Sequence, residues 1–207
     1  MYKHQKRILY YLLLAISCGF IILTLIVLAF PFSIVDKEFS EEVQEHQFTI
    51  LDGLMTLVSW FGTFPNSLLM VLLTALIFYL LKFKRESLFI ILTLFSAPIS
   101  VSMKFWIDRQ RPTMDLVRII EKTRLQSFPS GHVLFYVAFF GFLALLMYQL
   151  KSLPKKLRII IAGISAFLIC MVPFSRIYLG AHWFTDVLGG FMLGLLYLLI
   201  LSYFYLK

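Results

Sequence analysis

The chain has 207 residues, of which 60% are hydrophobic and only 14% charged, and its mean hydropathy is +0.88. A water-soluble domain of that composition would lack the polar surface needed to cover its core, so soluble globular classes are excluded and lipid is read as the main solvent. The formal charge of +8 does not point to nucleic acid, because the basic residues are scattered over short loops and form no single stripe.

A helix needs about 20 apolar residues to cross the hydrocarbon core. Six runs approach that length, over residues 8–30, 67–81, 87–103, 133–150, 159–174 and 183–206. The first follows Lys3, His4, Lys6 and Arg7; it is too long for a cleavable leader and reads as a spanning helix with a basic flank. Between spans one and two, residues 31–65 begin acidic and end apolar, and Leu51, Leu54, Met55 and Val58 recur at helical spacing. That segment is expected to form one interfacial helix, either packing on the bundle or gating a substrate. Pro98 is expected to kink span three. Cys18 and Cys170 fall inside apolar runs, where they read as small buried hydrophobes without a disulfide. The fold class is thus an all-α bundle of six transmembrane helices, one integral membrane domain over 1–207.

Six spans put both termini on one side of the membrane. Eleven of the 19 basic residues fall on that side and eight on the other, and Glu86 is the sole acid on the termini side. Basic residues mark the cytoplasmic face, so both termini are placed in the cytoplasm of a multi-pass protein of the cell membrane. Trp60, Trp106 and Trp183 then lie at the outer interface, where indole rings favour the headgroup level.

Three polar clusters interrupt the apolar pattern, and this topology brings all three to the outer face. Lys104 to Pro112 ends span three, Pro129-Ser130-Gly131-His132 opens span four, and Ser175-Arg176, His182 and Asp186 join spans five and six. Lys104, Arg111 and Arg176 are cations that repel one another unless an anion compensates them. Guanidinium forks match phosphate oxygens. Ser130 and Gly131 precede a helix, so their N–H groups are expected to be free for an anion, and Gly131 would allow close approach of the backbone. These five residues read as a cradle for a phosphoryl group. His182 and Asp186, four apart, can share a face, with the carboxylate orienting the ring so that its other nitrogen is nucleophilic. His132 is then available as the general acid. The cations supply the charge stabilisation, so neither a metal nor another cofactor is called for.

The pattern K-x6-RP, PSGH, SR-x5-H-x3-D resembles the three-part signature of the type 2 phosphatidic acid phosphatase (PAP2) family, with every signature position present between Lys104 and Asp186. That family includes lipid phosphate phosphatases and bacterial phosphatidylglycerophosphate and undecaprenyl-pyrophosphate phosphatases, and it is related to the soluble vanadium haloperoxidases. The resemblance implies a metal-independent lipid phosphatase in which His182 attacks phosphorus to form a phosphohistidine. It implies that Asp186 supports His182, His132 protonates the leaving group, and Lys104, Arg111, Ser130, Gly131 and Arg176 hold the phosphate. A membrane lipid is the implied partner, with no obligate protein partner; the outward site favours undecaprenyl pyrophosphate if the source is bacterial. A lipid or anion carrier using the same pocket without hydrolysis is the rival reading, although transport has no use for the His182–Asp186 pair.

The remaining polar residues have plainer expectations. Arg109, Arg118, Lys122 and Arg124 read as solvated loop residues, with contact to a lipid headgroup as their alternative. Asp108 is expected to pair locally with Arg109 or Arg111. Ser175 either touches the phosphate or shapes the helix end. His4 and His46 read as surface histidines.

Overall fold

The computed structural model describes residues 3–207, with side chains from Lys6 onward, so Lys3 and His4 of the basic flank lie outside the described side chains. Among the described residues there are nine α-helices and no strand: α1 (Lys3–Ala29), α2 (Ile34–Val43), α3 (Thr49–Trp60), α4 (Asn66–Leu80), α5 (Lys84–Leu92), α6 (Ser96–Ile107), α7 (Gly131–Gln149), α8 (Lys155–Tyr178) and α9 (Phe184–Leu206). Helices α5 and α6 are joined by a single 3-10 turn, Thr93–Phe95, and together make one long rod. The turn has a local cause: Pro98 has no N–H to give to the carbonyl four residues back, so the regular ladder is interrupted there.

Five of these rods are long and apolar enough to cross a membrane: Lys6–Ala29, Lys84–Ile107, Gly131–Gln149, Lys155–Tyr178 and Phe184–Leu206. The sixth expected span, α4, has only 15 residues, which at 1.5 Å per residue gives about 22 Å. It packs along α5 and is the short member of the six. The chain is an integral membrane protein. Helix α7 is its axis: Val133, Leu134, Tyr136, Ala138, Phe142 and Leu146 are fully buried, and α8 and α9 pack on either side of it. Helix α1, by contrast, is exposed along most of its length and is peripheral.

Small residues set the closest approaches. A Cβ at Gly190 of α9 would sit 2.4 Å from the Ser130 carbonyl oxygen, and one at Gly194 2.8 Å from Val137. Without a hydrophobic drive between lipid-embedded helices, such backbone-to-backbone contact is a main source of packing energy.

Three expectations are corrected. The segment between spans one and two forms two helices, α2 and α3. Leu51, Met55 and Val58 of the expected face are half-buried beside the buried Ser59, and only Leu54 points outward, so the inward face of α3 is close to the one its apolar spacing marks. Trp183 is buried, with its indole N–H on the Gln110 carbonyl at 3.3 Å, and is no belt residue; Trp60 and Trp106 are exposed. Cys18 and Cys170 are free and exposed on the bundle's outside, because in lipid an apolar run does not distinguish inward from outward faces.

Gly190→Ala is expected to lower thermal stability in detergent by about 1–3 kcal/mol, since the obstructing atom is backbone. An unfolding midpoint equal to that of the parent would show that α7 and α9 can part without cost.

Candidate active site

The site lies where α6, α7, α8 and α9 end together, under the long loop from Asp108 to Ser130. Four of the polar side chains are delivered by helix ends. Lys104 is in the last turn of α6, Ser130 is the N-cap of α7, Arg176 is in the last turn of α8, and Asp186 is in the first turn of α9. A cation near a helix C-terminus and a carboxylate near an N-terminus both suit the helix dipole.

The cations are compensated from within. Lys104 Nζ donates to the Ser127 carbonyl at 3.0 Å and also to that of Gln126. Arg111 donates from Nε to the Leu125 carbonyl at 2.5 Å, from Nη2 to that of Gln126 at 3.1 Å, and from Nη1 to that of Ala181. Arg176, fully buried, pairs through Nη1 with Glu121 at 2.6 Å and with the Ser59 hydroxyl. Its Nε and Nη2 have no partner, nor do the Ser130 hydroxyl and His132 Nε2. A buried donor left without an acceptor is costly, and the two free nitrogens of Arg176, which lines the pocket, are donors that an anion could satisfy.

His182 is buried in the α8–α9 connection, just before α9. Its Nε2 lies 3.3 Å from Arg111 Nη1, and its Nδ1 lies 3.6 Å from Asp186 Oδ2 and 3.5 Å from the Ser127 hydroxyl. The pair therefore comes together as expected, but Ser127 stands between its members and donates to Asp186. The Asp186 carboxylate also accepts the Trp183 N–H at 2.8 Å, closing the first turn of α9. Burial, followed by Arg111, Lys104 and Arg176, holds the His182 imidazolium form unfavourable and its pKa well below the ordinary value; the Ser127 backbone pulls the other way. Burial, then Arg176, pushes Arg111 down to about 10. A neutral ring with Nδ1 turned toward a carboxylate leaves Nε2 with a lone pair facing the cationic pocket.

A cavity of about 320 Å³ joins these groups to the outside of the bundle. Lys104, Arg111, His132, Arg176 and His182 line its polar end, and Phe64, Leu94, Val101 and Phe135 its apolar end. Phe64 is 81% exposed, so the apolar end opens to the bundle's outer surface.

All eight residues singled out from sequence converge here, with two adjustments. The Ser130 N–H is not free; it donates to the Asp186 carbonyl at 2.9 Å and ties α7 to α9. Gly131 is also needed for packing, since a Cβ there would meet Ser100 Oγ at 2.9 Å. Ser175 donates to the Met55 carbonyl at 2.7 Å and so shapes the helix junction. Asp108 pairs with neither arginine. It caps α6 in the left-handed region (φ 46°) and accepts from Gln126 at 3.0 Å.

Among the loop basics, Lys122 and Arg124 are exposed, with Arg124 at the cavity rim. Arg118 is ion-paired with Asp52 at 2.6 Å, which holds the Asp52 carboxyl below its usual range. Arg109 departs most from expectation: it is buried and bridges Asp36 and Asp186, each at 2.6 Å. Sequence reasoning missed Asp36, Glu121, Ser127 and Ser59 as neighbours of the site, because each is an ordinary loop or helix residue outside the three clusters. Their partners are set by tertiary folding.

The family model for the PAP2 superfamily matches residues 86–207, more than half of the chain, and that stretch holds all eight residues singled out from sequence. The chain belongs to the PAP2 superfamily. It is 43% identical over 99 residues to phosphatidylglycerophosphatase B of Bacillus subtilis, a stretch covering 45% of each protein, so the match spans about half the length of that relative. In fold it is similar to the crystal structure of a transmembrane PAP2-type phosphatidylglycerolphosphate phosphatase from Bacillus subtilis, with a TM-score of 0.81 at 24% identity, covering 94% of this chain and 96% of that one. It is also similar to Aquifex aeolicus LpxE, with a TM-score of 0.60 at 21% identity, covering 85% and 96%. Those two likenesses establish the shared all-helical membrane architecture.

Because only neutral imidazole reacts with diethyl pyrocarbonate, labelling of His182 in this PAP2 protein is expected to persist well below the ordinary imidazole value of ~6.5. Mass spectrometry of labelled peptides across pH checks this. A midpoint at the ordinary value would mean that burial and the three cations do not act on the ring.

Proposed function

We propose that this protein is a membrane lipid phosphatase that works through a phosphohistidine, with its active site at the outer membrane face and both termini in the cytoplasm. The observation that carries the reading is the cavity itself. A neutral, carboxylate-backed imidazole stands at its cationic end, and an apolar end leads to the bundle's outer surface. A soluble ester would gain nothing from the apolar half, whereas a lipid would place its headgroup among the cations and its chain along Phe64, Leu94 and Val101.

In this reading the phosphate exchanges the loop carbonyls for its own oxygens on Lys104 and Arg111, and takes up the unpaired donors of Arg176 and Ser130. Gly131, at the start of α7, keeps the backbone close. His182 Nε2 attacks phosphorus, a P–N bond forms, and the P–O bond to the lipid breaks. His132 gives its proton to the departing oxygen, so a lipid monophosphate leaves as the alcohol and a lipid diphosphate as the lipid monophosphate. The proton on His182 Nδ1 stays between the Ser127 hydroxyl and Asp186, which stabilise the positive ring. His132, now neutral, takes a proton from water, whose oxygen attacks the phosphohistidine; the P–N bond breaks and inorganic phosphate leaves. The chemistry uses fixed cations where other phosphatases use metal ions.

Phosphatidylglycerophosphate is the first substrate to examine, because the stretch shared with phosphatidylglycerophosphatase B is 43% identical. Undecaprenyl pyrophosphate is the competing substrate. With purified protein in detergent and chelator present, phosphate release from one of these lipids is expected, and His182→Ala is expected to reduce it by at least about a thousandfold. Release that survives His182→Ala would overturn the mechanism, and lipid transport across vesicles without any release would favour a carrier.

For the orientation, a cysteine placed in loop 151–158 of a chain from which Cys18 and Cys170 have been removed should label only after the membrane is permeabilised. Labelling of intact cells would reverse the topology.

A further inference from the structure

Asp36 lies on α2, outside the residues that the family model matches, and nothing in its acidic neighbourhood distinguishes it in the sequence. In the fold it is 1% exposed and carries a set of contacts of its own. Its Oδ2 accepts from Arg109 Nη2 at 2.6 Å, and its Oδ1 accepts the Thr185 N–H at 2.8 Å and the Thr185 hydroxyl at 2.9 Å. Arg109 reaches from the same guanidinium to Asp186 Oδ1 and to Thr185 Oγ1, both through Nη1 at 2.6 Å, and to the Pro31 carbonyl at 3.0 Å. The other oxygen of Asp186 takes the Ser127 hydroxyl beside His182 Nδ1. One buried chain of contacts therefore runs from Asp36 through Arg109 and Asp186 to the imidazole.

The charges along this chain decide what it does. A guanidinium touching Asp186 alone would cancel most of that carboxylate's field at His182, in a site already crowded with cations. The second carboxylate, Asp36, offsets the guanidinium, so the group as a whole keeps one negative charge facing the ring. We propose that Asp36 is a positioning residue for the His182 nucleophile: it balances Arg109 so that Asp186 remains an effective anionic support. The inference rests on the phosphatase reading for its catalytic meaning, but the electrostatic coupling can be measured without it.

The other charged or titratable groups facing His182 are Lys104 from α6, Arg111 from the loop, His132 from α7 and Arg176, with its partner Glu121, from α8 and the loop. None of these changes in the variants below. Removing the Asp36 charge leaves the guanidinium unbalanced and makes a protonated His182 less favourable. The midpoint of His182 labelling by diethyl pyrocarbonate in Asp36→Asn should therefore move to lower pH, by about half a unit or more. Arg109→Gln removes the opposite charge and should move it upward. In the double variant Asp36→Asn/Arg109→Gln the midpoint should return to that of the parent. A merely structural role for the pair predicts shifts of one sign, largest in the double variant. If one single variant does not elute as a monodisperse peak in detergent, the other single variant against the double variant still gives the sign.

Turnover supplies the second reading. For a lipid substrate that the parent hydrolyses, kcat should fall about tenfold in Asp36→Asn with KM changed less than about twofold, and should recover in the double variant. Midpoints that do not respond to these variants overturn the inference whatever the activity. Midpoints that respond as described, in a parent that releases no phosphate from any lipid, overturn the phosphatase reading and leave the coupling standing.

Discussion

Cations gathered at the ends of lipid-embedded helices must be compensated at close range, because there is little water to do it. Lys104, Arg109, Arg111 and Arg176 are all in that position, and the path of the loop from Asp108 to Ser130 follows from it. Its carbonyls at Leu125, Gln126 and Ser127 turn inward onto Lys104 and Arg111, and its Glu121 reaches Arg176. These inward carbonyls are thus satisfied by the same residues whose charge they offset.

That compensation is incomplete in an informative way. Backbone carbonyls carry partial charges, so they satisfy the geometry of the cations more fully than their charge, and the two free nitrogens of Arg176 remain oriented donors. A phosphate dianion would bring full charge to the same atoms. At the other end, the apolar lining asks only for a hydrocarbon chain. The two halves of the cavity together suit an amphipathic substrate.

The segment between the first two spans is more than a cap. Asp36 is tied into the Arg109–Asp186 network, and Gln44 clamps the loop to the end of α8, accepting the Arg118 N–H at 3.0 Å and donating to the carbonyls of Arg118 and Tyr178, each at 2.8 Å. Ser59, at the end of α3, contacts both Arg176 and Glu121. Gly180, at φ +67°, lets the α8–α9 turn pass against the Arg118 carbonyl, where a Cβ would lie 2.2 Å from the oxygen. The site is therefore braced by residues scattered between positions 36 and 59, together with the α8–α9 turn.

The sequence by itself determined the solvent, the helical class, the spans and the three polar clusters. Those follow from composition and local periodicity, which lipid imposes directly: a spanning segment has to be apolar and has to satisfy its own backbone. The eight cluster residues were legible because polar groups at span ends stand out against an apolar background. Only the tertiary structure decided which charges pair. Arg109 and Arg118 read alike as loop cations, yet one is buried between two carboxylates and the other lies at the surface on Asp52. Asp108, adjacent to Arg109, pairs with Gln126. Pairing in a buried site is set by which helix ends meet, and contacts such as Asp36 with Arg109, 73 positions apart, leave no local pattern to read. The burial of Trp183 has the same origin, since it depends on what the bundle presents to it and not on its local sequence.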